Sequence, residues 1–494
     1  MSNEPTHRNN RLSLFRNWLS LAGAILAVSS GFAFLLLFVV DILADHANPY
    51  MGILAYVVTP GFLFTGLGLI AAGYWFQLRH LRQLEPGAPV LALNIDLSRQ
   101  RDRKILGGFI AGSVVFLFMT ALGSYQTYHY TESVQFCGQA CHVPMEPEFI
   151  TAQHSPHARV DCVACHVGPG AVAYFKTKVN GTRQLYHVVL NDFERPIRLT
   201  ADKQRPAPET CETCHWPQKF TGDLVKENNH FLADEKNTPF TVKLLLKVGG
   251  GDPRRGPVGG IHWHMNLTNK VEYFSKGETR GEIPWIRVTD ANGKVTEFRT
   301  PGFKDTPSQK EIQTMDCMDC HNRPSHKFRT PNDAVDLALS SGRVDRNIPW
   351  VKARMVEALV QPYTDRAEAV KKIEEFLRKT YPDREDVKTV INETLAIYNV
   401  NFFPEMKADW RAHPDNIGHK EWNGCFRCHD GSHKAADGKT MVKASDCTSC
   451  HLILAQGSGA DLEKSNPKGV TFFHIDGEYT EFSCAECHTG ATPK

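Results

Sequence analysis

Seven times this chain sets two cysteines a few residues apart and follows the second at once with a histidine. The pairs are Cys137/Cys141, Cys162/Cys165, Cys211/Cys214, Cys317/Cys320, Cys425/Cys428, Cys447/Cys450 and Cys484/Cys487, and the histidines are His142, His166, His215, His321, His429, His451 and His488. All 14 cysteines are used in this way. Close cysteine pairs alone would also fit disulfides or zinc ribbons. Histidine makes up only 22 of 494 residues, so seven such neighbours are not chance. Cys-x-x-Cys-His is the attachment site of c-type haem: each thiol adds to a vinyl group, and the histidine falls under the iron. The first site differs, with three residues between its cysteines. A chain that binds seven haems must wrap its fold around them.

Upstream of the first site the sequence is mostly apolar. Residues 17–43, 51–76 and 105–126 are each long enough to span a bilayer. The first is long for a signal-peptide core, which favours a retained helix. The tail 1–16 carries Arg8, Arg11 and Arg16, and the loop 77–104 carries Arg79, Arg82, Arg99, Arg101, Arg103 and Lys104; the link between the first two spans has neither Lys nor Arg. Positive charge stays inside, so tail and loop are expected in the cytoplasm and everything beyond the third span on the periplasmic face of the bacterial inner membrane. The spans hold no ionisable residue at mid-membrane, which argues against a proton relay through them. A formal net charge of +2 carries no nucleic-acid signal.

The periplasmic part divides by pattern. Residues 127–330 hold four sites, interrupted at 216–316 by an insert that reads as β: alternation over residues 241–247, 261–265, 271–275 and 286–289, and a turn at residues 290–293 before a strand at 295–298. Residues 331–412 are helical in pattern, with Val370, Ile373, Phe376 and Leu377, then Val387, Val390, Ile391 and Leu395, at helical spacing. Residues 413–494 hold the last three sites and little apolar sequence, so porphyrin is expected to serve as core. The fold class expected is a multihaem cytochrome c with three N-terminal transmembrane helices and a haem-packed, mostly helical and loop periplasmic region with a β-rich insert.

The second axial ligand decides what each haem does. A second strong ligand suits electron transfer; an open position binds substrate. Apart from the motif histidines and His7, His46 and His80, twelve remain: 129, 154, 157, 187, 230, 262, 264, 326, 413, 419, 433 and 474. His326 and His433 follow their nearest motif histidines too closely to reach across the same haem, so each is expected to cap a neighbour. His419 and His474 precede sites five and seven by short links. In Ile261-His262-Trp263-His264, strand periodicity points both rings to one face, and one, His264, is expected to ligate. His187 completes the candidate ligand set.

Residues 105–330 resemble the NapC/NirT family of membrane-anchored multihaem quinol dehydrogenases. The resemblance rests on a membrane helix running into Cys137–Met145, on His154-Ser-Pro-His157 before the second site, and on the site ending at His321 followed by His326. It implies oxidation of membrane quinol, menaquinol by the same analogy, at the first haem, and delivery of electrons to soluble periplasmic multihaem cytochromes. It further implies Met145 as a ligand of the first iron, His157 and His326 as ligands, and Lys178 at the quinol pocket. Three departures stand out. The extra residue in the first motif leaves His142 and Met145 both open as ligand. The family's acidic residue two turns past the lysine falls near Gln184-Leu185. Two spans, the β insert and the last three sites lie outside the family pattern.

The function expected is therefore that of a quinol:cytochrome c oxidoreductase carrying seven covalent haems, with no separate catalytic triad or acid/base pair. The competing class is a terminal multihaem reductase of a small oxyanion with one open haem. The absence of a Cys-x-x-Cys-Lys motif and the abundance of histidine speak against it.

Overall fold

The computed structural model describes residues 15, 17–43, 58–83, 97–140, 142–168, 170–198, 205–250, 254, 259–265, 268–277, 280–442, 447–475, 477, 479 and 484–490. The chain forms two compact units, residues 1–133 with 167–186, and residues 134–166 with 187–494.

The first unit is built on three long helices, α1 (Trp18–Leu43), α2 (Thr59–Gln83) and α3 (Gln100–Glu132). Small residues let α1 and α2 approach backbone to backbone. A Cβ on Gly23 would lie 2.5 Å from the Gly66 carbonyl oxygen, and one on Gly66 2.7 Å from the Ala27 nitrogen. Polar groups then bond across the seam: Asn17 Nδ2 donates to Gly73 O at 3.1 Å and Ser20 Oγ to Ile70 O at 3.4 Å. Small residues with interhelical hydrogen bonds are how helices associate in lipid. Trp18–Leu35 and Thr59–His80 are long and apolar enough to cross a membrane, and only 22% and 17% of these windows is buried. Val28, Phe32 and Phe64 are each at least 70% exposed, as suits a lipid-facing surface. The helix α3 contains the whole third expected span and continues to Glu132, one turn short of the first cysteine motif. The expected cytoplasmic tail 1–16 and the loop between α2 and α3 lie mostly outside the described residues.

The second unit opens with α4 (His142–Gln153). The helix α5 (Ala171–Leu190) runs from the first unit into the second. Two antiparallel sheets follow. One orders β1 (Leu224–Phe231), β2 (Pro239–Leu246) and, far along the chain, β8 (His451–Gly457). The other runs β6-β3-β4-β5-β7, made of β3 (Lys270–Lys276), β4 (Glu282–Thr289), β5 (Val295–Arg299), β6 (Gln313–Thr314) and β7 (Lys434–Ala435). The insert is thus β, but each of its sheets borrows a strand from beyond residue 413. Register ties Thr241 to Gly457 and Leu246 to His451. Residues 261–265 correct the expectation of a strand: they form a 3-10 turn.

Between the sheet strands in sequence come α6 (Pro331–Ser340), α7 (Val351–Leu359), α8 (Arg366–Thr380) and α9 (Val387–Asn401). Their apolar stripes meet as the periodicity requires: Val335, Val356, Ile373, Leu377 and Val390 are fully buried in one core. Thr330 caps α6 through Asp333 N, with Pro331 in the first turn, and Asp365 caps α8 through Glu368 N. The β1–β2 hairpin tip plugs into this layer, where buried Asn237 donates to Ile348 O at 2.7 Å and accepts from Lys352 N at 3.0 Å. Beside it Lys352 and Asp336, both almost wholly buried, form an ion pair of 2.7 Å. Lys352→Met is expected to cost about 3–5 kcal/mol, since it leaves a buried carboxylate without its counter-charge. Denaturant midpoints of the purified holoprotein would measure this, and an unchanged midpoint would mean that Asp336 is satisfied by His230 and Phe231 N alone.

Candidate haem-ligand array

Most of the motifs are short helical turns. His215 N bonds Cys211 O, His321 N bonds Cys317 O, His429 N bonds Cys425 O and His488 N bonds Cys484 O, at 2.8–3.0 Å. A helical turn brings residues three and four apart to one face, so both sulfurs and the histidine ring of a motif point to one side. The first motif has an extra residue, and Phe136–Ala140 forms a wider π turn that takes it up. Its Gly138 admits no side chain: a Cβ there would stand 2.1 Å from the Phe149 ring. Gly424, before Cys425, has φ +42 and would press a Cβ to 1.9 Å from Gly418 O. The 12 cysteines whose side chains are described are all free of disulfides.

The attachment cysteines are one device in sequence, and they differ in backbone form and in burial. Site three is a single hydrogen-bonded turn, with Cys214 N bonding Cys211 O at 3.1 Å and Thr213 Oγ1 4.0 Å from the exposed Cys214 sulfur. At site six Cys450 lies just past the 3-10 turn Cys447–Ser449 and just before β8. Its carbonyl accepts from Lys247 N at 2.8 Å, which joins the motif to the chain just past β2. Cys487 ends the single helical turn Cys484–Cys487 and is exposed, as is Cys165 at site two. Cys320 and Cys450 are half-buried. Cys428 packs against the five-stranded sheet. Cys214, Cys450 and Cys487 join neither apolar cluster among the described residues.

Six motif histidines each face a second histidine. Ring centroids are 6.2 Å apart for His166 and His326, 6.0 Å for His157 and His215, and 6.4 Å for His262 and His321. They are 5.9 Å apart for His264 and His429, 6.2 Å for His419 and His451, and 5.9 Å for His474 and His488. Two imidazoles bound to one metal through nitrogens about 2 Å away have centroids roughly 6 Å apart. The spacing repeats six times and is too wide for ring stacking, so these residues fit six bis-histidine irons.

The tautomers fit as well. His326 Nδ1 lies 3.0 Å from Glu148 O, His157 Nδ1 3.1 Å from Pro324 O, His262 Nδ1 3.1 Å from Val248 O and His264 Nδ1 2.8 Å from Ile261 O. A carbonyl partner places the proton on Nδ1 and leaves Nε2 bare, the form that ligates a metal. Burial keeps His262, His264, His326, His419 and His451 neutral by lowering their pKa, that of His326 to about 4. At site five a cavity of about 310 Å³ opens against the five-stranded sheet, lined by His264, His429, Cys428, Trp263, Met315 and Val442. Apolar walls around a histidine pair and a cysteine are what a porphyrin requires.

Ligands cross between motifs. His326, following site four, faces site two; His157, preceding site two, faces site three; His419, preceding site five, faces site six; His474 faces its own site seven. His262 and His264, two residues apart, face sites four and five. Sulfurs of neighbouring motifs also meet, Cys137 with Cys162 and Cys211 with Cys317, and Arg427 of site five donates to Asp319 O of site four at 2.7 Å. Sites one to six are thereby chained in sequence order.

Other candidates stand differently. His433 is wholly buried, but its Nε2 is 2.6 Å from Ile283 O and its Nδ1 3.1 Å from Asp430 Oδ1. Both nitrogens are occupied, so it staples β4 to the site-five loop and does not cap a haem. His187 Nδ1 pairs with Asp192 at 2.9 Å. Choosing His264 alone from its pair missed His262. The signal was present in the sequence, but it was read through strand geometry. Met145 is half-buried on α4, three residues past His142. Cys141 lies outside the described residues, as do the side chains of His142, Lys178 and Cys447.

Residues 99–213 match the NapC/NirT cytochrome c family, N-terminal region. The chain is 37% identical over 489 residues to the cytochrome c-type protein ImcH of Geobacter sulfurreducens, covering 96% of this chain and 95% of that protein. No solved structure matches.

Proposed function

Because this chain belongs to the NapC/NirT cytochrome c family, we propose that it is an inner-membrane quinol dehydrogenase that delivers electrons through seven covalent haems to periplasmic cytochromes. Membership makes it a membrane-associated multihaem cytochrome of electron transport with covalently bound haem c. The quinol step, the count of seven, the topology and the acceptor belong to the proposal.

One observation carries the reading: six motif histidines each face a second histidine. Haem supplies one-electron chemistry, and closure by two imidazoles suits it to electron transfer and leaves no position for an oxyanion. The residues hold neighbouring sites in contact, as a conduit needs. Ring nitrogens held by backbone carbonyls at His157, His262, His264 and His326 keep those imidazoles in one orientation, so little moves there when charge is added.

Quinol is apolar, so its site belongs at the membrane surface. Site one follows α3 within one turn. The helix α5, which carries Lys178, exposes Val172, Phe175, Val179 and Tyr186 at helical spacing, a pattern suited to an interface helix. Met145 is a softer ligand than histidine, and Lys178 would hydrogen-bond a quinone oxygen.

Intact mass should show seven haems per mature chain. Resting spectra should be low-spin, with no nitrite or hydroxylamine adduct. Six or fewer haems would reject the count, and an oxyanion-binding high-spin haem would favour the terminal-reductase reading.

A further inference from the structure

The histidine pairs are not alike at Nδ1, the atom whose partner tunes a ligated imidazole. At sites two, three, four and five the distal ring has a backbone carbonyl 2.8–3.1 Å from Nδ1. At site six neither ring has one. Nδ1 of His419 and Nδ1 of His451 are both shut off from solvent and have no hydrogen-bond partner. Only the backbone of His419 itself comes near the first of them, and the short covalent path from a ring to its own backbone forbids a straight hydrogen bond.

Something other than an acceptor orients these rings. Phe426, inside motif five, stacks on His419 with centroids 4.3 Å apart and planes 14° from parallel. His451 is the first residue of β8, where its backbone pairs with Leu246. The charge next to His419 is answered: Lys420 Nζ lies 3.6 Å from Asp333 and 3.7 Å from Glu421. No bare cation there confuses the contrast with the other sites.

The chemistry of that contrast is direct. A neutral ring that offers Nε2 to a metal keeps its proton on Nδ1. An acceptor on that proton makes the imidazole more basic and stabilises the oxidised, more positive iron. Two rings without acceptors are weaker donors and favour the reduced state.

We propose that the haem held by His419 and His451 has the highest reduction potential of those at sites two to six, so that an electron entering the conduit collects at site six. This rests on the haem reading above and adds which pair retains the electron. It also makes Phe426 a positioning residue, which orients His419 where other sites use a carbonyl.

The test is spectropotentiometric titration of the holoprotein under carbon monoxide. His326→Leu, His157→Leu, His262→Leu, His264→Leu and His419→Leu each open one iron, which carbon monoxide then holds reduced, so one wild-type component drops out of each curve. The component lost in His419→Leu should lie above the other four by about tenfold in equilibrium constant, or 59 mV for one electron. Any of the four lying higher would overturn the proposal. If His419→Leu does not load every haem, His419→Met takes its place: methionine ligation raises the potential, and the component that moves upward must be the top one of the five. Phe426→Leu should lower that same component, because a ring released from the stack can turn Nδ1 to water. A curve identical to wild type in fully loaded Phe426→Leu would remove Phe426 from this role. Redox-difference infrared spectra give a second check, since ring modes of a hydrogen-bonded Nδ1 at this haem would also overturn the proposal. Fully loaded His419→Leu that binds no carbon monoxide would instead refute the haem reading at site six.

Discussion

Replacing His262 with leucine is expected to add one carbon-monoxide-binding, high-spin haem per chain. The ring of His262 is parallel to that of His321 within 7°, at 6.4 Å, and its Nδ1 is held by Val248 O. Leucine keeps the volume and offers no ligand, so one position opens. His264→Leu should open a different haem, that of His429, and the double variant should open two. His433→Leu is the control. Both its ring nitrogens bond within the protein, so it should open none and should instead cost about 1–3 kcal/mol per orphaned partner. Carbon monoxide titration of the reduced protein counts the open irons directly. A high-spin haem in His433→Leu, or none in His262→Leu, would overturn the pairing.

The second large effect concerns quinol. Met145→Ala or Lys178→Leu is expected to slow reduction of the haems by a quinol analogue by tenfold or more, about 1.4 kcal/mol of barrier, while dithionite still reduces every haem. The contrast matters because dithionite can enter at any exposed site, whereas quinol must use the site near the lipid. Stopped-flow traces at the haem band separate the two. Unchanged quinol rates in both variants would move the site elsewhere.

Much of the site was legible in the sequence because covalent haem attachment is local. Cysteine, cysteine and histidine lie within one turn and need no tertiary partner to declare themselves. What the motif did not declare is its setting: Cys450 ends at a sheet edge and Cys214 in an exposed turn, because the flanking chain decides that. The helical stripes were legible for the same reason as the motifs: Ile373 and Leu377 are one turn apart and both fully buried. The distal ligands were legible as a supply but not as pairs. His326 lies 160 residues from His166 in the numbering and meets it only after α4 supplies Glu148 O to orient the ring. His262 and His264 misled because alternation was taken for a strand. A 3-10 turn advances about 120° per residue, so rings two apart diverge and each serves a different site. His433 misled because spacing alone does not tell whether a ring nitrogen will meet iron or a carbonyl.

The sequence by itself therefore determined the cofactor class, the candidate membrane helices and their basic flanks, since each depends on residues adjacent along the chain. Tertiary structure alone decided which histidine faces which motif and that strands from beyond residue 413 complete both sheets. Those outcomes depend on contacts closed over tens to hundreds of residues, where backbone carbonyls, burial and neighbouring charge choose between chemically equal rings.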